Sequence, residues 1–411
     1  MRVGCDLCSH PMDDSDNRVS SSKRTMMRDH DGSVPSSSIR EVVFNDDLLI
    51  EILLQLPVIS RFFFKSVSKR WLSLITSPAF FNLRLTRFPY IHPPSGLFLQ
   101  QINSEHNHFQ HDFISLDSRI PAGKKKSSAF TFGCFGMDAS NVEVLQSCNG
   151  LVLCVIRNDP GKICVYNPSI NMFKMLPQVH GLKISRFMDN MRLGFDPAKS
   201  PHYKVLHIRE IPKESSILTW IYFSERGCWI IGNSLPLQWY CGLFHRGVYW
   251  DDAIHWLDFK NQVRHFKLDV EHPHDTTTEP PKTLDRYSYK ELFESCGCLL
   301  FACAGDPLNK HLNIYEMGNG YSGWSLKYIV KYEDSISTFF ETWKKSTVKF
   351  RFDVLSIVLG EREDESFIVM KPCGKVVKYN LLLKTLHILC NMDTHLTKFH
   401  TFPFIASFAG V

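Results

Sequence analysis

The chain has 411 residues, enough for two or three domains with ample apolar side chains for a core, and at 44% hydrophobic and 22% charged its composition is that of an ordinary globular protein. A formal net charge of +5 is small for this length and argues against a nucleic-acid surface or a membrane patch, and no apolar run reaches the 18 or so residues of a membrane helix. The opening MRVGCDLCSHPMDD has no apolar leader segment, so thirteen cysteines, an odd number, read as reduced thiols in the cytoplasm or nucleus.

Residues 1–40 contain no Phe, Trp or Tyr, nine serines and six side chains of each charge. Such a segment buries too little apolar surface to offset its ordering entropy, and a disordered tail is expected. Its Cys5-x-x-Cys8 with His10 lacks a second ligand pair at zinc spacing, so no metal is assigned to it.

The next 40 residues change character. Leu48, Leu49, Ile52, Leu53 and Leu56 recur at the spacing of one helical face, with Asp46 and Asp47 in the first turn where they complement the helix dipole. Pro57 closes this helix. Ser60 can cap a second short helix through Phe62 and Phe64, and Val67, Trp71, Leu74 and Ile75 form a third ladder ended by Pro78. Three helices in so little chain make a meagre core, and a unit of about 40 residues usually needs a partner to hold its shape.

LLIEILLQLPV followed by FKSVSKRWLSLITSPAF resembles the F-box, the module by which substrate receptors dock on the Skp-type adaptor of cullin–RING ubiquitin ligases. The sequence departs from the family pattern at three places. Phe44-Asn45 stands where Leu-Pro usually opens helix one, Arg61 where leucine is common, and Phe63 where arginine is common. The resemblance implies an adaptor-binding set of Leu48, Leu49, Ile52, Leu53, Leu56, Pro57, Val67 and Trp71, some of which must also close the three helices on each other.

Pro89, Pro93, Pro94 and Gly96 mark a linker, and the expected organisation is a tail (1–40), an F-box (41–85), a linker (86–97) and a second domain (98–411). Beyond the linker, helical ladders give way to short aromatic-rich runs between turn residues, the pattern of an all-β domain. Strands are expected at Leu151–Val155 after the turn pair Asn149-Gly150, and at Ile163–Tyr166, Tyr203–Ile208, Trp220–Phe223, Gly247–Trp250, Ile254–Leu257, Cys298–Cys303, Asn313–Tyr315 and Val376–Tyr379. Between 98 and 146 the pattern is looser, and His106–His111 and Lys124–Lys126 read as loops.

Internal repetition decides the architecture. ICVYNPSINMFKMLP (163–177) superposes on VVKYNLLLKTLHILC (376–390), matching Tyr166-Asn167 to Tyr379-Asn380; a second form repeats as Tyr222-FSERGC-Trp229 and Tyr315-EMGNGYSG-Trp324. Landmarks roughly 40–50 residues apart are the size of one four-stranded blade, so a β-propeller of six or seven blades is expected. There is no Gly-Gly pair, no Gly-His, and one Trp-Asp (250–251), which disfavours kelch and WD40 repeats. SCNGLVLC (147–154), VYNPSINMFKMLP (165–177), LGFDPAKSPHYKVLHI (193–208) and GVYWDDAIHWLDF (247–259) instead resemble the F-box associated domain of plant F-box proteins.

The sequence has no His-Glu-x-x-His, Gly-x-Ser-x-Gly or Walker loop. Cys296, Cys298 and Cys303 read as small buried thiols, the cluster His106, His108 and His111 lacks a carboxylate pattern, and Asp251-Asp252 reads as a turn. The expectation is a non-catalytic protein without metal or cofactor. The resemblance implies the substrate-recognition subunit of an SCF-type ligase that presents a target protein for ubiquitination, with a Skp-type adaptor, and through it cullin and RING subunits, as partners. The alternative is a scaffold that binds the adaptor without directing degradation. No residue from 95 to 411 is singled out as binding the target.

Overall fold

In the computed structural model the described residues are 44–56, 60–61, 64–87, 93–103, 108–117, 128–129, 132, 139–157, 162–179, 190–211, 214–236, 244–268, 275–281, 289–304, 311–331, 353–372, 374–392 and 399–411. The tail with Cys5, Cys8 and His10, together with Pro57, Phe62, Phe63, His106 and Lys124–Lys126, lies outside them. By internal contacts the chain divides into Met1–Leu49 and Ile50–Val411, a division that the first helix crosses.

Three helices lead the chain: α1 (Asp46–Gln55), α2 (Lys69–Ile75) and α3 (Pro78–Arg87). Residues 60, 61 and 64 are also helical, where the second ladder was expected. The expectation for Pro78 needs correcting. α2 already stops at Ile75 with Thr76 as its C-cap, and Pro78 opens the next helix. Proline suits a first helical position because its missing N–H would be unpaired there in any case. Ser77 caps that start by accepting from Phe80 N at 3.1 Å.

The remainder is six four-stranded antiparallel sheets. Blade 1 combines β1 (Gly96–Asn103), β2 (His108–Ser115) and β3 (Ser128–Ala129) with the last strand, β24 (Phe399–Phe404). Blade 2 is β4 (Val142–Cys148), β5 (Leu151–Ile156), β6 (Lys162–Asn167) and β7 (Met172–Met175). Blade 3 is β8 (Met191–Gly194), β9 (Lys204–Ile211), β10 (Ser216–Phe223) and β11 (Cys228–Pro236). Blade 4 is β12 (Val248–Trp250), β13 (Ala253–Leu257), β14 (Val263–Lys267) and β15 (Asp275–Thr278). Blade 5 is β16 (Tyr289–Ser295), β17 (Cys298–Ala304), β18 (His311–Met317) and β19 (Trp324–Lys331). Blade 6 is β20 (Val354–Val358), β21 (Phe367–Met370), β22 (Lys375–Asn380) and β23 (Leu386–Asn391).

The innermost strands β4, β8, β12, β16, β20 and β24 touch in that order and β24 returns to β4, so the ring closes. Closure is sewn by β24 pairing with β1, from Gly96↔Phe404 to Gln101↔Phe399. A strand from the end of the chain thus completes the first blade, and the remaining inner edges are short and turned towards the centre of the ring. The second strands β5, β13 and β21 are buried on both faces, because each blade is covered by a neighbour on either side. Outer strands such as β7 and β19 alternate or stay exposed.

Polar groups fasten every seam between blades. Gln100 Oε1 accepts from Val144 N at 2.6 Å, and Gln146 Oε1 accepts from Leu193 N at 2.7 Å. Lys204 Nζ donates to Leu268 O and Trp250 Nε1 to Gly297 O, at 2.8 and 2.7 Å. Leu359 N donates to Ser295 Oγ at 2.8 Å, and Thr401 Oγ1 to Leu355 O at 3.0 Å. The Gln100, Gln146 and Ser295 pairings are buried and satisfy groups that would otherwise be left costly there.

The repeats fall at matching places. Tyr166-Asn167 and Tyr379-Asn380 both end the third strand of a blade, and each Asn carboxamide oxygen accepts from the following turn while its Nδ2 reaches another segment's carbonyl. The expected loop at His106–His111 is corrected: His108 to His111 begin strand β2. His111 is buried there, 3.1 Å from Gln100 Oε1, and burial pushes its imidazole down to about 4. Histidine, glutamine and aspartate mask the two-residue alternation that the backbone nevertheless follows. Asp251 and Asp252 form the two-residue turn between β12 and β13, both with positive φ.

Candidate functional site

The helices carry the candidate site. α1 starts at Asn45, whose Oδ1 accepts from Asp47 N at 2.9 Å and from Leu48 N at 3.2 Å. Asn45 therefore does the capping at the position where the family pattern has proline. Successive helical residues lie about 100° apart, so a stripe as wide as this one has two edges. Leu49 and Leu53 lie on the buried edge at 2% and 0% exposure; Leu48 and Ile52 lie on the other, each 45% exposed. Leu56 is half-buried.

Ser68 caps α2 by accepting from Trp71 N at 3.1 Å. Val67, just before the cap, is 56% exposed, whereas Trp71 is half-buried against Phe64 with ring centroids 5.3 Å apart. Ile75 and Phe80 are fully enclosed. The Arg87 guanidinium on α3 pairs with Glu51 on α1. Of the expected adaptor-facing residues, Leu48, Ile52 and Val67 present apolar surface to solvent, Leu56 and Trp71 do so in part, and Leu49 and Leu53 are enclosed. Two exposed leucines were not foreseen, Leu72 on α2 and Leu83 on α3. Leu83 was legible only by reading Ser77-Pro78 as a helix start.

Other side chains of this region face the ring. Phe81 joins the apolar cluster of Leu145, Cys148, Leu151 and Ala409. Lys65 Nζ donates to Ser169 O at 3.2 Å and lies 4.6 Å from the centre of the Phe408 ring. Arg61 is buried over the same ring at 5.6 Å, with Nε and Nη1 lacking hydrogen-bond partners. Burial, with Arg84 nearby, lowers its guanidinium to about 10, and burial lowers the Lys65 amine to about 8. A cation on an aromatic face recovers part of the lost hydration. The family's leucine is thus replaced by an arginine that points into the molecule.

A helical module with enclosed Leu53, Ile75 and Phe80 and an exposed apolar edge, followed along the chain by a six-bladed ring, is the arrangement that the comparisons bear on. The F-box domain family matches residues 44–83, and the F-box associated β-propeller domain family matches residues 105–309. The F-box protein At5g07610 of Arabidopsis thaliana is 31% identical over 418 residues, covering 92% of this chain and 95% of that protein.

The chain is an F-box protein.

A second Arabidopsis relative, F-box protein At5g03970, is 22% identical over 344 residues, covering 77% of each chain. Among solved structures, this F-box protein is similar to a chain of a nidogen–laminin complex at 9% identity and TM-score 0.41, covering 76% of this chain and 99% of that one. It is also similar to an oligogalacturonate lyase in complex with manganese at 10% identity and TM-score 0.40, covering 73% and 80%. No reading of the chain rests on likenesses at that level.

The thiols singled out in the sequence sit in blade 5. Burial is the main cause that raises Cys296 to about 11 and Cys298 and Cys303 to about 12, which keeps them protonated and poorly nucleophilic at neutral pH. Among the described residues no three His, Cys, Asp or Glu side chains gather as a metal site, and no helix is long and apolar enough to cross a membrane.

Proposed function

We propose that this F-box protein is the substrate-recognition subunit of an SCF-type ubiquitin ligase, docking on a Skp-type adaptor through Leu48, Ile52, Val67 and their neighbours while the propeller holds a target protein. One observation carries the reading: apolar side chains stay exposed on a helical module whose own core is already filled by Leu53, Ile75 and Phe80. Fully burying a large apolar side chain is worth about 1.5–3 kcal/mol, and covering these half-exposed ones contributes part of that each against the cost of association. The protein performs no bond chemistry in this reading. It raises the effective concentration of target lysines at the charged conjugating enzyme. Such work belongs to the cytoplasm or nucleus, where the free thiols of blades 2, 3, 5 and 6 would stay reduced.

The test is reconstitution with a plant Skp-type adaptor, a cullin and a RING subunit. Wild type should co-purify with all three and support ubiquitin transfer. A chain carrying Leu48→Asp and Ile52→Asp should elute alone with an unchanged melting curve. Adaptor capture by that variant would refute the docking surface, and capture without ubiquitin transfer by wild type would favour a non-degradative scaffold. Arg61 does not favour the scaffold, since its side chain is buried on Phe408 and stands off the exposed edge.

A further inference from the structure

Antiparallel strands send every first-to-second and third-to-fourth turn of a blade to the same mouth of the ring. Three of the inner turns are two-residue hairpins with positive φ at both positions: Asn149-Gly150, Asp251-Asp252 and Cys296-Gly297. Among these turns opens a cavity of about 340 Å³, lined by side chains of blades 2 to 5 that include Asn149, Asp196, Lys199, Trp250, Asp251 and Glu294. That volume lies at the small end of ligand pockets and suits one long side chain rather than a folded element.

Charge in the cavity is unbalanced. Lys199 is committed to the β12–β13 turn, its Nζ 2.8 Å from Asp252 Oδ2 and 3.4 Å from Asp251 Oδ1. Tyr249 fixes the same turn by donating from its hydroxyl to Asp252 Oδ1 at 2.9 Å. Asp196 and Glu294 have no cationic partner among the described residues. Each is held by one backbone donor: Ala198 N to Asp196 Oδ1 at 2.9 Å, and Gly297 N to Glu294 Oε1 at 2.8 Å. Asn149 lines the cavity with them. Asn149 is 6% exposed, and its Nδ2 is anchored on Phe195 O at 2.7 Å while its Oδ1 has no partner. Trp250 is fixed by its bond to Gly297 and supplies an aromatic surface beside these acceptors. Two fixed carboxylates, a buried carbonyl oxygen without a donor and an indole call for a flat cation with several N–H groups. A guanidinium provides that, and an ammonium matches it less well.

We propose that this cavity is a target-recognition site that receives an arginine side chain from an exposed segment of the partner protein. The inference rests on the receptor reading above and names the chemistry of its target. Protonation supports it. Burial, with a smaller contribution from Asp196, pushes the Glu294 carboxyl up to about 7. The titratable groups around it are Asp196 and Lys199 of the β8–β9 loop and Tyr249 and Asp251 of blade 4, which line the same cavity, with Cys148 of β4 and Cys296 of the β16–β17 turn. A bound guanidinium favours the ionised carboxylate, so binding should displace a proton below neutrality and tighten between about pH 6 and pH 8.

The experiment uses the full chain bound to its adaptor and three peptides, Gly-Ser-X-Ser-Gly with X as arginine, lysine or citrulline, followed by saturation-transfer NMR and titration calorimetry. The arginine peptide should bind, with lysine weaker and citrulline at least about tenfold weaker. Glu294→Gln and Asp196→Asn should each weaken the arginine peptide several-fold, and Asn319→Lys on the exposed rim should compete from within a normally folded chain. Equal binding of arginine and citrulline, no binding of either, or unchanged binding by all three variants overturns the proposal. So does spermidine binding without the arginine peptide, which would make this a small-cation site. Adaptor capture is measured on the same samples. Lost arginine binding with intact capture refutes the cavity alone, whereas lost capture in wild type refutes the receptor reading.

Discussion

The helical module and the ring handle apolar surface in opposite ways. Six of the thirteen exposed large hydrophobic side chains among the described residues, Phe44, Leu48, Ile52, Val67, Leu72 and Leu83, fall within its 40 residues; the remaining seven are scattered over some 300. Scattered exposed apolar residues are ordinary on a protein surface, but such density on three short helices is not. Among the described residues the ring covers most of its own apolar surface: second strands such as β5 are buried throughout, the first blade is completed by β24, and each seam carries a hydrogen bond. One region leaves a dense set of apolar side chains open to solvent, and the other covers most of its own.

That contrast can be broken. Phe301, fully enclosed in blade 5, should cost about 3–5 kcal/mol when cut to alanine, read by denaturant unfolding, with adaptor capture per folded molecule unchanged. Next in size, Ile52→Asp with Val67→Asp should weaken adaptor binding by at least about 100-fold, roughly 2.7 kcal/mol, in a titration against purified adaptor. The same pair should shift stability by no more than about 0.5 kcal/mol, because both side chains already face water. If the two experiments exchange outcomes, the division between the regions is wrong.

Smaller effects sharpen it. Ser295→Ala leaves the buried Leu359 N–H without its acceptor and should cost about 1–3 kcal/mol at the seam between blades 5 and 6, read from the unfolding midpoint. Glu294→Gln should show a distinctive pH dependence. With its folded value raised from 4.5 to about 7, Glu294 binds its proton more tightly in the folded chain, so wild-type stability falls as pH rises across that interval and levels off above it. The variant should therefore melt higher than wild type at pH 8, and the difference should vanish towards pH 5.

Much of this was legible before any coordinates. The spacing of Leu48 to Leu56 and the motif from Val67 to Trp71 announced the helical module, and the matched Tyr-Asn pairs announced blades. What stayed hidden has a common cause. His111 and Gln100 form a buried polar pair across β1 and β2, and polar residues read as loop until their partners are known. Ser77-Pro78 carries both a stop and a start signal, and proline alone does not choose between them.

Residue type and spacing by themselves determined that a small α unit precedes a repeated β unit, because helical and strand periodicities and the length of a blade are local properties. Only the tertiary structure decided that there are six blades, that the last strand closes the first, that Arg61 turns inward onto Phe408, and that Asn149, Asp196 and Glu294 meet at one mouth. Those four outcomes depend on contacts between segments up to some 350 residues apart, and no local pattern encodes which distant neighbour a buried group will find.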